Sequence, residues 1–135
     1  MVKSGLIHPE LLRELALCGH GDKVLIADGN YPLAQETGDA AKIYLGLRAG
    51  TPQVTQVLET LLETVNIEKA EVMDPGDGTT PQVFDEFTRL LGGMPLEGIS
   101  RGDFYRACAH PKVRVAIATG EQRVFANILL TIGVA

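Results

Sequence analysis

Tryptophan is absent from this 135-residue chain, which holds only four Phe and three Tyr. So few aromatics argue against a β-sandwich, whose strands are enriched in large rings. Cysteine is scarce too: Cys18 and Cys108 are too few and too far apart for a disulfide framework or a zinc ligand set. No apolar run approaches the length of a membrane span, and one early Lys with no apolar stretch behind it gives no sign of a secretory leader. The formal net charge is −5 and no basic cluster is present, so a nucleic-acid partner is not expected. A soluble, cytoplasmic protein without a membrane partner is the expectation that remains.

What is present is an aliphatic core in regular portions. Apolar residues make up 45% of the chain, chiefly Leu, Ile, Val and Ala, enough to bury one core of ordinary size. Leu11, Leu12, Leu15 and Ala16 fall at helical spacing between Pro9 and Cys18, with Gly19 as the stop. An apolar run, Val24 to Ala27, then marks a buried strand over 23–28, and 41–47 reads as a shorter one. Thr51-Pro52 and Thr80-Pro81 each offer an N-cap with proline at the first helical position. The stripes behind them are Val54, Val57, Leu58, Leu61, Leu62 and Val65, and then Phe84, Phe87, Leu90 and Leu91 before Gly92-Gly93. Strands are expected at 69–73, near 96–100 and at 112–119, a short helix at 103–109, and a strand within 124–134. Such alternation predicts a single α/β domain over residues 1–135, a mostly parallel sheet with helices on its faces.

Functional groups in such folds gather beyond the carboxyl ends of strands. Asp28 has that position, followed by Gly29 and Asn30, although an aspartate there can equally cap its own turn. Arg101 follows the strand near 96–100, and Glu121 follows the strand at 112–119. His20, between Gly19 and Gly21, precedes its strand, so about 15–20 Å of extended chain separates it from Asp28. The two meet only if the loop folds back or if His20 comes from a neighbouring subunit. Cys18 reads as a small buried hydrophobe rather than a nucleophile, and Asp74 to Thr79 as a surface turn lacking the ligand spacing of a calcium loop. With no metal cluster, activated serine or dinucleotide fingerprint beside them, Asp28, Asn30, Arg101 and Glu121 suit a small polyhydroxylated ligand.

Several blocks, in order along nearly the whole chain, resemble the ribose pyranase and fucose mutarotase family. They are the early helix Pro-Glu-Leu-Leu-Arg-Glu-Leu-Ala, Gly19-His20-Gly21-Asp22, and Ala27-Asp28-Gly29-Asn30-Tyr31-Pro32. Arg101 with Phe104-Tyr105, Thr119-Gly120-Glu121 and Ala126-Asn127-Ile128-Leu129-Leu130 follow. The resemblance implies an isomerase that interconverts cyclic forms of a free monosaccharide such as L-fucose or D-ribose, with no metal or cofactor. It implies His20 as general acid or base, Asp28 as its carboxylate partner, and Arg101 and Asn127 as sugar ligands. Arg101 with Phe104-Tyr105 looks closer to the fucose type. The resemblance further implies a homo-oligomer, a ring of ten or smaller, with sites at subunit contacts. One position departs from the family: Phe125 stands among the sugar-binding positions where a Tyr is usual, so a phenol hydroxyl is missing. That substitution motivates an alternative, a non-catalytic monosaccharide-binding or transport-accessory protein on the same scaffold.

Overall fold

In the computed structural model, which describes residues 1–135, Val24, Leu25, Ile26 and Ala27 are all buried. A strand buried on both faces belongs inside a sheet, and Lys23–Ala27 (β1) lies there. The others are Ala41–Tyr44 (β2), Ile67–Met73 (β3), Leu96–Ile99 (β4), Val113–Ala118 (β5) and Ile128–Ile132 (β6), in the spatial order β2-β5-β1-β6-β3-β4. β5 pairs parallel with β1 and β2, and β3 with β4, whereas β6 runs antiparallel to both β1 and β3. The sheet is therefore mostly parallel with one reversed strand at its centre. Chain length explains the reversal: a parallel β6 would need a crossover of a dozen or more residues, and only 119–127 join it to β5.

Five helices cover the sheet: Pro9–Ala16 (α1), Leu33–Glu36 (α2), Val54–Leu62 (α3), Val83–Leu90 (α4) and Arg101–Cys108 (α5). The period-two alternation of β1 divides its side chains between two cores. Val24 and Ile26 join Leu11, Leu58, Leu61 and Phe87 under α1, α3 and α4. Leu25 and Ala27 join Leu33, Phe104, Cys108 and Leu129 under α2 and α5. No helix is long and apolar enough to cross a membrane.

The differences from the expected elements lie at their ends. α3 and α4 start two residues after their Thr-Pro pairs, at Val54 and Val83, with Gln53 and Gln82 as caps. Thr51 is unavailable as a cap because its backbone closes a turn, with its N–H donating to Arg48 O (2.9 Å) and its carbonyl accepting from Leu47 N (3.0 Å). That turn also stops β2 short of residue 47. α1 ends at Ala16, because Gly19 opens the next turn and donates to Asp22 Oδ2 (2.8 Å). α5 begins at Arg101 rather than 103, since Ser100 Oγ accepts from Asp103 N at 3.2 Å and caps it. The four-residue α2 is too short to carry a period and was not foreseen.

The turn after β5 is threaded tightly past the segment 48–52. A Cβ on Gly120 would lie 2.3 Å from Arg48 O and 2.4 Å from Thr51 O, both backbone atoms that cannot rotate away. Gly120→Ala should therefore lower the free energy of unfolding by about 1–3 kcal/mol, as overpacking does. A urea midpoint equal to that of the wild type would contradict this reading.

Candidate functional site

Because β6 opposes its neighbours, its first residues meet the carboxyl ends of the parallel strands. Asp28 leaves β1, Met73 ends β3, Arg101 follows β4, and Asn127 stands immediately before β6. With Asn30, these residues line a cleft of about 430 Å³. Its remaining wall is Tyr31, Tyr105, Val124 and Phe125.

Asp28 is buried and fixed by two partners. Its backbone N–H donates to Asn127 Oδ1 (2.7 Å), and Asn127 Nδ2 donates back to Asp28 Oδ2 (3.1 Å). Asn30 N donates to Asp28 Oδ1 at 3.0 Å. Asp28 thus caps its own turn and also faces the cleft. Each carboxylate oxygen keeps a free lone pair and Asn127 Nδ2 a second hydrogen, so the pair can still bind a hydroxyl. Burial pushes the Asp28 carboxyl above its ordinary range, and the Asn30 and Asn127 donors offset only part of that rise.

Arg101 occupies the first turn of α5, where a cation opposes the helix dipole. Its guanidinium lies 5.9 Å from the centre of the Tyr105 ring, a cation–π arrangement that keeps the charge at the cleft. Tyr105 in turn packs against Tyr31 at 5.4 Å between ring centres. Phe104, by contrast, is fully buried beneath α5, so only one residue of the Phe104-Tyr105 pair reaches the cleft. Phe125 has φ +60°, the one non-glycine residue in the left-handed region. Such a conformation costs about 1–2 kcal/mol, and here it turns the chain so that Phe125 lines the cleft while Ala126 is buried.

Two sequence candidates lie elsewhere. Glu121 is 2% exposed and does not line this cleft; its carboxylate accepts from Val54 N (3.2 Å) and from Arg123 Nε and Nη2 (3.0 and 2.9 Å). Burial pushes its carboxyl up, but the Arg123 bonds outweigh this and hold it below the ordinary range. In this structure the Glu121 carboxylate serves as an internal anchor, joining the start of α3 to the loop 119–127. His20 sits at the opposite end of β1, because its loop does not fold back. Gly21 N donates to Ile132 O (2.9 Å) and Ile132 N to Asp22 O (2.9 Å), tying that loop to the far end of β6. Within one chain, His20 has Glu68 rather than Asp28 as its carboxylate partner.

Cys18 is only partly buried, short of the buried position expected of it, and Cys108 is fully buried; burial pushes Cys18 up to about 11 and Cys108 up to about 12, away from the thiolate a nucleophile needs. Asp74 and Asp77 cap their own turn through Gly76 N (2.8 Å) and Thr79 N (3.0 Å). Of the cleft residues, Met73 and Val124 were missed by sequence reasoning. Met73 ends its strand as Ala27 does, so it stands one residue short of the position that the strand-end rule selects.

A cleft at the carboxyl ends of an α/β sheet, lined by both polar and aromatic residues, has the chemistry suited to a small polar molecule. Residues 1–135 match the RbsD / FucU transport protein family, and the chain belongs to it. D-ribose pyranase of Symbiobacterium thermophilum is 33% identical over 134 residues, 99% of this chain and 98% of that protein. D-ribose pyranase of Geobacillus kaustophilus is 31% identical, over 99% of this chain and 95% of that one. Bacillus subtilis RbsD complexed with D-ribose superposes with a TM-score of 0.87 at 27% identity, covering 100% of this chain and 99% of its own. The fucose mutarotase of Streptococcus pneumoniae in complex with L-fucose gives 0.85 at 26% identity, covering 100% and 99%.

Burial of the Asp28 carboxyl makes its contribution to stability depend on pH. Asp28 binds its proton more tightly folded than unfolded, so its contribution to stability is greatest in acid. That contribution falls as pH rises from the unfolded value through the raised one. Carboxyl ¹³C NMR should give Asp28 a midpoint above 3.8, the ordinary value. In Asn127→Ala, which removes a donor to the carboxylate, the midpoint should move higher still. A midpoint at or below 3.8 in the wild type would refute the assignment.

Proposed function

We propose that this protein is an aldose mutarotase, an isomerase that opens and recloses the ring of a free monosaccharide, L-fucose or a close relative before D-ribose. The observation that carries the reading is the buried Asp28–Asn127 pair facing Arg101 across a cleft walled by aromatic rings. Carboxylate, amide and guanidinium groups match the hydroxyls of a pyranose, and Tyr105 and Phe125 offer apolar surface to its carbon face. Family membership and the named activities of the relatives support the same class.

The reaction is acid–base chemistry alone. A base takes the proton of the anomeric hydroxyl, an acid protonates the ring oxygen, and the bond between that oxygen and the anomeric carbon breaks. The resulting aldehyde rotates and recloses on its other face, returning both protons. Positioned groups contribute about 10²–10⁴ to such a step, and an imidazole serves well because it gives and takes protons near neutrality. In this reading Asp28 holds the reacting end of the sugar and His20 supplies the proton transfer.

Since His20 and Asp28 lie at opposite ends of β1, His20 acts in the cleft of a neighbouring copy. The protein is then a homo-oligomer, ten subunits or fewer, with each site completed across a contact. Exposed Tyr44 (63%), Leu47 (81%) and Val124 (65%) cluster near the cleft and its adjoining hollows, as an interaction surface would require.

Proton NMR saturation transfer on L-fucose and D-ribose tests both claims. Wild type should accelerate anomeric exchange, with L-fucose preferred, and His20→Ala and Asp28→Ala should each lose at least about a hundredfold. Mixing the two inactive variants after dissociation and reassembly should restore part of the activity, because mixed contacts pair an intact His20 with an intact Asp28. No restoration would overturn a site shared between subunits. Saturable sugar binding with no acceleration would favour the binding-protein alternative that Phe125 motivates, and Phe125→Tyr should then confer exchange.

A further inference from the structure

The His20 turn and β3 lie on either side of the end of β6, yet their side chains meet. His20 Nε2 is 2.9 Å from Glu68 Oε2 and 3.1 Å from Glu68 Oε1, so one ring nitrogen faces both carboxylate oxygens. Two features of the backbone bring this about. The turn is tied to β6 through Gly21 N and Ile132, which fixes where the imidazole stands. Gly133, just past β6, then leaves the space between them clear: a Cβ there would lie 3.3 Å from Glu68 Cβ and 3.6 Å from Glu68 Oε2. Gly133 N also donates to Asn66 O at 2.8 Å, which holds the approach to Glu68 in place.

We propose that Glu68 is a positioning residue for His20, fixing the imidazole as its Nε2–H tautomer so that Nδ1 is the nitrogen presented for proton transfer. This rests on the reading of His20 as the acid–base group. An ionised carboxylate only accepts hydrogen bonds, so a ring nitrogen held between its two oxygens carries the proton in the neutral imidazole. The opposite nitrogen is then unprotonated and points away from Glu68. A third group that orients a catalytic imidazole raises the fraction of molecules in the reactive tautomer without touching the substrate. A stabilising role explains the contact poorly, since both side chains are about half exposed and such pairs add little to stability.

The test compares Glu68→Ala, Glu68→Gln and His20→Ala in the assembled protein, with L-fucose as the probe sugar. Ring ¹⁵N shifts of His20 should report the Nε2–H tautomer in wild type and a mixture of tautomers in Glu68→Ala. Exchange kcat should fall roughly tenfold in Glu68→Ala, with KM changed less than twofold. Glu68→Gln keeps an accepting oxygen and should retain the tautomer and most of the rate, which also guards against a folding artefact. Unchanged ring shifts, or a wild-type kcat, in Glu68→Ala while His20→Ala is inactive would overturn the role of Glu68 alone. A wild-type rate in His20→Ala would overturn the assignment of His20 as well.

Discussion

The reversal of β6 is the constraint on which the rest of the structure depends. A fully parallel sheet would gather only strand exits at one end, and each exit brings residues that follow a strand. Inserting one antiparallel strand between β1 and β3 adds an entry at that same end. Asn127, the last residue before β6, is thereby set against Asp28, the first residue after β1. The register Ile26 to Ile128 brings the two together, and the two hydrogen bonds between them follow from it. Both central strands are buried, so a one-residue slip would turn their core side chains the wrong way as well as separating this pair.

The cleft built on this pairing is held in advance of any ligand. Asp28 pivots on Asn30 and Asn127, Arg101 rests on Tyr105, and Phe125 is kept in a costly backbone conformation. Burying a carboxylate without a cation works against stability, and none of its hydrogen-bond partners here is charged. A fold that retains such a group beside a left-handed phenylalanine has kept local strain at the cleft proposed to hold the sugar. Preorganisation of this sort reduces the ordering that binding would otherwise require.

Most of the architecture was legible because it is written in short-range patterns. The apolar run at 24–27, the stripes of α3 and α4, and the strand at 113–118 each carry their period in consecutive residues. What was not legible depends on partners far away in the chain. The Thr-Pro pairs read as helix starts, but Thr51 spends its backbone on Arg48 and Leu47, a turn that no local propensity announces. Glu121 had the right address at a strand end, yet Arg123 and the α3 N-terminus claim its carboxylate. Asp28 and Asn127 were both singled out, but their mutual hydrogen bonds follow from the strand order, which alternation alone leaves open. His20 taught the reverse lesson. Strand length alone showed that it could not reach Asp28 unaided, and the sheet then supplied Glu68 from β3.

The Glu121 anchor ties α3 and α4 to the loop between β5 and β6. Arg123 binds Glu121 and also Glu86 of α4, while Glu121 binds the first N–H of α3. The loop carrying these charges continues directly into Phe125 and Asn127. The α3–α4 layer and the cleft wall are thus fastened to one another by a small ionic knot as well as by Ala126, which is buried in the core beneath those helices. In a map of tolerated substitutions, sensitivity would not be confined to a shell around the ligand. It would run as a narrow seam from the cleft through Arg123 to the first turn of α4.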